Sequence, residues 1–318
     1  MKKILIVGAG AMGAAFSIPL LDNGHSVTLT EPYNFKLLKK LNSKKKNHPS
    51  LNINLPQKLK INKFSSDILN QKWDLIVIAV SSIGIDLIGK NLSKIKNKSP
   101  ILVLTKGLKL DGRNLISMSS LLKKYNKNLN ISVLKGPCLA KELAKKVKSF
   151  TVVANKNINT AKKIGKLIST NYYQTEFSRD VNGVEFLSAI KNIYSMIIGA
   201  GQWHNTSSAL FRKSIDEMKY LANYFKGKKE TVYGLAGLGD LYVSAMGGRN
   251  SKMGEYLGKG YTFTRAKKKF MKNDTVEGAD LAIEIAPFVF KKINKRKVPL
   301  MISLLEAIVK NKKLKIKY

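Results

Sequence analysis

The chain has a single cysteine, Cys138. No internal disulfide can form, so a disulfide-stapled secreted scaffold is excluded and a reducing cytoplasm is the expected compartment. Its three histidines, His25, His48 and His204, are scattered and show no metal-ligand spacing, so no metal is expected. Long apolar runs are missing. No stretch approaches the ~18 residues of a membrane span, and none is expected. The N-terminus runs straight into a strand-like segment, which leaves no signal peptide to anticipate. Acid and arginine are both scarce: 20 acidic residues face 57 basic ones, and only six of those are arginine.

The resulting net charge of +37 raises the question of a nucleic-acid partner. Three features argue for a lysine-biased composition instead, and no nucleic acid is expected. Arginine, the residue favoured in base and phosphate recognition, is rare. The lysines are spread along the whole chain, mostly on polar faces of amphipathic segments. Aromatic residues are not interleaved with them as a stacking platform requires. The positive field should still draw in anionic substrates.

Apolar content is ample, at 44%. The first residues read Lys3-Ile4-Leu5-Ile6-Val7-Gly8-Ala9-Gly10-Ala11-Met12-Gly13. A short apolar run ends in G-x-G-x-x-G, and a helical stretch follows. That order holds a dinucleotide pyrophosphate: Gly8 for the turn, Gly10 for close approach of the phosphates, Gly13 for helix–strand packing. Ala11 and Met12 open the helix whose unpaired N–H groups face the anion.

Strand-like runs alternate with helical ones through the first half: Lys3–Val7, Ser26–Thr30, Leu75–Val80, Ile101–Leu104, Ile131–Leu134, Thr151–Ala154 and Tyr172–Glu176. Helical stretches Ala11–Asp22, Asn34–Leu41, Ile83–Lys90 and Ala161–Ile168 lie between them, and Asn42–Ser50 reads as a loop. The pattern predicts an α/β fold with a doubly wound parallel sheet, ligands sitting at the carboxyl ends of its strands. From Gly183 onward the periodicity is helical, with no convincing strand. Two domains are expected: residues 1–180 for the dinucleotide and an all-α domain, 181–318, for the substrate.

Several segments carry chemistry. Glu31 stands 18 residues beyond Gly13, where a carboxylate can accept the adenosine ribose hydroxyls and tilt the site toward NAD over NADP. Lys36, Lys39 and Lys40 follow closely and keep NADP open. Thr105-Lys106-Gly107 and Gly136-Pro137-Cys138-Leu139-Ala140 each follow a strand. Lys191 and Asn192 fall inside an otherwise apolar helix. A lysine buried there without a partner is costly, and desolvation makes it a usable acid–base group, although snorkelling fits the periodicity equally well. Near the end come Gly237-Leu238-Gly239-Asp240, Ser244 and Gly247-Gly248-Arg249-Asn250. Arg249 offers a planar fork for phosphate, and Asp240 can orient a lysine or a substrate hydroxyl.

Taken in order, Gly8–Gly13, Asn47-His48-Pro49, Thr105-Lys106-Gly107, Gly136–Ala140, Ala189-Ile190-Lys191-Asn192, Gly237–Asp240, Gly248-Arg249-Asn250 and Val276-Glu277-Gly278 resemble the NAD(P)-dependent glycerol-3-phosphate dehydrogenases, archaeal-type members most closely. The resemblance implies a reductase that interconverts dihydroxyacetone phosphate and sn-glycerol 3-phosphate for lipid synthesis. It makes Lys191 the catalytic lysine and Asp240 its supporting acid. It places Lys106 near both substrate and cofactor, Arg249 and Asn250 on the phosphate, and Arg249 also near the dinucleotide. Gly136, Asn192, Ser244 and Gly248 complete the substrate set, while Ala140, Val276 and Glu277 join the cofactor set.

The chain departs from the family in three places. Cys138 stands where many relatives have Ser, Gly248 where many bacterial members have Ser, and Thr30-Glu31-Pro32 lacks the Trp common at the adenosine end. Another reductase of the same architecture, or a basic nucleic-acid-binding protein on that fold, are the alternatives. The helical second domain leaves a homodimer open.

Overall fold

A computed structural model describes residues 1–95 and 98–317. Among the described residues twelve strands are present: β1 Lys3–Val7, β2 Ser26–Glu31, β3 Asn47–His48, β4 Ile53–Asn54, β5 Lys60–Lys63, β6 Leu75–Ile78, β7 Ile101–Val103, β8 Leu108–Asp111, β9 Asn114–Ser117, β10 Ile131–Lys135, β11 Ser149–Ala154 and β12 Tyr173–Ser178. Eight of them form one sheet in the order β12-β11-β10-β7-β6-β1-β2-β5. The chain divides into two units, Met1–Lys106 with Met118–Val181, and Gly107–Ser117 with Asn182–Tyr318.

In the first unit, β1 lies parallel between β2 and β6, with Val7 opposite Thr30 on one side and Ile78 on the other. Strand order reverses at this point, and the crevice beyond the carboxyl ends of β1 and β6 is where a doubly wound sheet takes its ligand. Among the described residues seven α-helices belong to this unit: α1 Ala11–Asp22, α2 Phe35–Leu41, α3 Ser66–Asn70, α4 Ile85–Leu92, α5 Met118–Tyr125, α6 Ala140–Ala144 and α7 Ile158–Ile168. Helix α1 is buried from Gly13 to Leu21, which matches its nearly continuous apolar sequence.

The sheet is not wholly parallel, as the alternation implied, because β11 runs antiparallel to β10. The connection explains this. Its five-residue helix α6 rises only roughly 7.5 Å. The five residues of β10 span roughly 16 Å. The chain is not carried back across the sheet, so β11 enters from the edge where β10 ended. The stretch Asn42–Ser50 is also more ordered than the loop expected, since β3 pairs with β4 there.

The second unit carries α8 Val181–Gly199, α9 His204–Tyr224, α10 Asp240–Ala245, α11 Arg249–Gly258, α12 Phe263–Phe270, α13 Glu277–Lys292 and α14 Pro299–Val309. Among the described residues no strand follows Ser178, but the unit is not purely helical. The β8–β9 hairpin belongs to it: Leu108 and Leu115 join its apolar core, and Leu110 N–H donates to Glu284 Oε1 at 2.8 Å. Asp111 pairs with Asn114 across a two-residue turn led by Gly112 at φ +58°. No helix among the described residues is long and apolar enough to cross a membrane.

Candidate active site

The glycine turn follows β1 directly. Gly8 has φ +109°, and a Cβ there would lie 2.7 Å from the Ala79 backbone, so only glycine fits between β1 and the end of β6. A Cβ on Gly13 would overlap the Gly8 carbonyl oxygen, which is why α1 can start so close to the turn. Gly10 differs: a Cβ there meets no protein atom within 4 Å. Gly10 is also the N-cap of α1 and supplies no capping side chain. The N–H groups of Gly10, Ala11, Met12 and Gly13 therefore have no acceptor within the helix, the arrangement that receives a phosphate.

Glu31 ends β2 and is buried, 6% exposed. Its carboxylate is turned toward the protein backbone. Oε2 accepts the Ala9 N–H at 2.8 Å, and Oε1 accepts the N–H groups of Tyr33 at 2.9 Å and Asn34 at 3.0 Å. A carboxylate that tilts the site toward NAD over NADP has to be open to ribose, whereas three of the roughly four acceptor positions of Glu31 are taken by the backbone.

Lys106, Gly136 and Ala140 follow β7 and β10 at the same sheet edge. Thr105 Oγ1 donates to the Val80 carbonyl at 2.7 Å and ties the segment after β7 to the one after β6. A residue not singled out from the sequence supports it from below. Lys135 is buried at the end of β10, and its Nζ donates to the carbonyls of Val103, Leu104 and Thr105 at 3.3, 3.2 and 2.6 Å. Its position as the last residue of an apolar strand was the only signal of this role.

In the second unit the central helix α8 is buried from Gly183 to Ile198. Its polar residues recur at helical spacing and need partners in that setting. Lys191 does not snorkel. Its Nζ lies 2.7 Å from Asp240 Oδ1, the two side chains being 7% and 4% exposed, and it also donates to Ser244 Oγ. Ser195 Oγ donates to the Ser244 carbonyl at 2.8 Å, which fixes α10 against α8. Asn192 is buried one residue along the helix.

Asp240 reaches Lys191 through an unusual turn. Leu235–Gly239 forms a π-helical turn that runs directly into α10. A wide turn of this kind is rare and tends to occur at functional sites. The sequence showed its glycines but not its geometry.

Helix α11 closes on α8 through small residues: a Cβ on Gly254 would overlap the Met196 carbonyl oxygen. That contact sets the start of α11, where Gly248 caps and Arg249 and Asn250 follow. Asn250 Oδ1 accepts the Gly278 N–H at 2.9 Å, which joins α11 to the start of α13 beside Val276 and Glu277. Arg249 Nη2 is 3.5 Å from Glu277 Oε1, and both side chains are about half exposed. Such a pair is worth roughly 0–1 kcal/mol, so it holds the guanidinium only loosely.

Lys191, Asp240 and Ser244 are thus in contact, and Arg249, Asn250, Val276 and Glu277 gather where α11 meets α13. The glycine turn, Glu31, Lys106, Gly136 and Ala140 share one sheet edge in the first unit. Among the described residues no group of three or more His, Cys, Asp or Glu could hold a metal ion.

Comparison with known proteins identifies the family. Residues 3–161 match the profile described as NAD-dependent glycerol-3-phosphate dehydrogenase N-terminus, and residues 180–316 match that of the C-terminus. An NADP(+)-dependent glycerol-3-phosphate dehydrogenase of Archaeoglobus fulgidus is 28% identical over 313 residues, covering 92% of this chain and 90% of that one. A glycerol-3-phosphate dehydrogenase [NAD(P)+] of Fusobacterium nucleatum is 32% identical over 288 residues, covering 87% and 84%. The crystal structure of glycerol-3-phosphate dehydrogenase from Coxiella burnetii shares the fold, with a TM-score of 0.85 at 24% identity, covering 98% of this chain and 96% of that one. With both halves matched and a relative above 30% identity along most of its length, the chain belongs to the NAD-dependent glycerol-3-phosphate dehydrogenase family.

Proposed function

We propose that the protein catalyses the reversible reduction of dihydroxyacetone phosphate to sn-glycerol 3-phosphate with NADH or NADPH, and so supplies the backbone of glycerophospholipids. The buried Lys191–Asp240 pair, in a chain of this family, carries the reading. Bound NAD(P)H supplies the hydride. Lys191 Nζ donates a proton to the C2 oxygen as charge builds there, and takes it back in the reverse direction. Asp240 balances the ammonium charge, and Ser244 helps to aim it.

Arg249 and Asn250 hold the phosphate, which orients the carbonyl. Lys106, Gly136, Asn192 and Gly248 are the remaining substrate contacts. Gly8, Gly10, Ala11, Met12 and Gly13 receive the pyrophosphate; Lys106, Ala140, Arg249, Val276 and Glu277 complete the cofactor set. The open side of Gly10 and the uncapped start of α1 suit such a group. The cytoplasm, as a reducing compartment, suits a chain with one cysteine.

The test follows the absorbance of NADH and NADPH side by side with dihydroxyacetone phosphate, unphosphorylated dihydroxyacetone and ketopantoate. Consumption with the phosphorylated ketone alone is expected. No consumption with it, or equal rates without the phosphate, would remove the assignment.

A further inference from the structure

Ala9 lies between Gly8 and Gly10, two residues whose own backbones impose little restraint. Two buried side chains from distant parts of the first unit supply the restraint instead. Glu31 Oε2 accepts the Ala9 N–H at 2.8 Å, which fixes the Gly8–Ala9 peptide. His48 Nε2 lies 3.0 Å from the Ala9 carbonyl oxygen, on the Ala9–Gly10 peptide.

The tautomer follows from the other ring nitrogen. Leu51 N–H donates to His48 Nδ1 at 3.3 Å, so the proton sits on Nε2 and is donated to Ala9. His48 is 1% exposed and held by β3, the short strand within the expected loop.

The consequence is geometric. In a planar trans peptide the C=O and the following N–H point in opposite directions. By drawing the Ala9 carbonyl inward, His48 turns the Gly10 N–H outward, toward the exposed start of α1. By drawing the Ala9 N–H to itself, Glu31 turns the Gly8 carbonyl the other way, toward Gly13.

We propose that Glu31 and His48 act as a two-sided clamp, positioning residues that aim the Gly10 N–H at the dinucleotide pyrophosphate and serve NADH and NADPH alike. The proposal rests on the reading of this turn as the dinucleotide site. It departs from that reading in making Glu31 a brace of the turn and not the arbiter of the ribose.

The test measures NADH and NADPH dissociation constants for the wild type, His48→Ala, His48→Gln and Glu31→Gln, with thermal unfolding and steady-state kinetics alongside. Loss of one oriented donor should raise both constants about tenfold in His48→Ala. At saturating cofactor the KM for dihydroxyacetone phosphate should stay within about twofold, because the lost hydrogen bond touches only the dinucleotide turn. His48→Gln, which can still donate an amide N–H to Ala9, should recover most of the loss. A merely structural role would lower the unfolding temperature without this rescue. Glu31→Gln should weaken NADH and NADPH by the same factor.

Unchanged dissociation constants in His48→Ala, or no recovery in His48→Gln, would overturn the clamp. Selective loss of NADH in Glu31→Gln would return that carboxylate to the ribose and overturn the brace. Should His48→Ala fail to fold, the other two variants carry the comparison. A wild type that binds neither dinucleotide would instead bring down the underlying reading of the turn.

Discussion

Lys191 Nζ and Asp240 Oδ1 lie 2.7 Å apart, in the nearly dry interior of the second unit, although 49 residues separate them in the chain. A buried ammonium without an opposite charge costs several kcal/mol. The carboxylate that offsets this cost also points the amine, so one pair accounts for both the burial and the proposed chemistry.

Lys191→Ala should lower turnover by about two to four orders of magnitude, the usual contribution of a placed proton donor. NADH binding, measured by fluorescence, should persist, because the glycine turn lies in the first unit. Near-normal turnover would mean that another group protonates the ketone.

The same substitution takes the ammonium charge from buried Asp240 and should cost roughly 3–5 kcal/mol of stability. Replacing both partners, Lys191→Met with Asp240→Leu, should recover part of that loss while leaving the enzyme inactive. Urea unfolding of the wild type and both variants checks the ordering. A double variant less stable than the single one contradicts it.

Arg249→Ala should raise the KM for dihydroxyacetone phosphate by at least about tenfold, as expected for a lost charge-assisted contact. Stability should hardly change, since the exposed link to Glu277 is worth roughly 0–1 kcal/mol. An unchanged KM would move the phosphate elsewhere.

The glycines of the turn should separate cleanly. Gly13→Ala drives a methyl into the Gly8 carbonyl and should destabilise the fold by about 1–3 kcal/mol. Gly10→Ala meets no protein atom and should fold normally, yet weaken NADH and NADPH. Equal melting temperatures for the two variants, or full cofactor affinity in Gly10→Ala, would refute this division.

Glu217 gives a pH prediction away from the chemistry. Burial pushes its carboxyl up to about 7, against opposing hydrogen bonds from the Leu300 and Met301 N–H groups and the Tyr194 hydroxyl. The folded protein then holds a proton that the unfolded chain has already released above the ordinary carboxyl value of 4.5. Stability from this group is complete below that value and is lost as pH rises toward 7, by on the order of 3 kcal/mol at most. Unfolding free energies at a series of pH values should show this decline in the wild type and not in Glu217→Gln. Parallel profiles would exclude it.

Much of the fold was written in local pattern. The run Ile4–Val7, the glycines after it and the alternation that follows leave few options other than a doubly wound sheet, because period and turn chemistry act over a few residues at a time. The β8–β9 hairpin was not read from the sequence, although Asp111-Gly112 between short apolar stretches is a turn signal, and its membership of the second unit depends on where Leu108 and Leu115 find a core. The direction of β11 depended on the reach of a short connection, which strand propensity does not encode.

Residue types and spacing alone determined that this chain would carry a glycine turn between strand and helix, a lysine within an apolar helix and an arginine beside glycines. Only the tertiary structure decided what those groups face. It set Lys191 on Asp240 through a π-turn, and it spent three of the acceptor positions of Glu31 on backbone N–H groups. The reason is physical: a buried charge takes whichever partner the packing brings within about 3 Å, and that partner can come from anywhere in the chain.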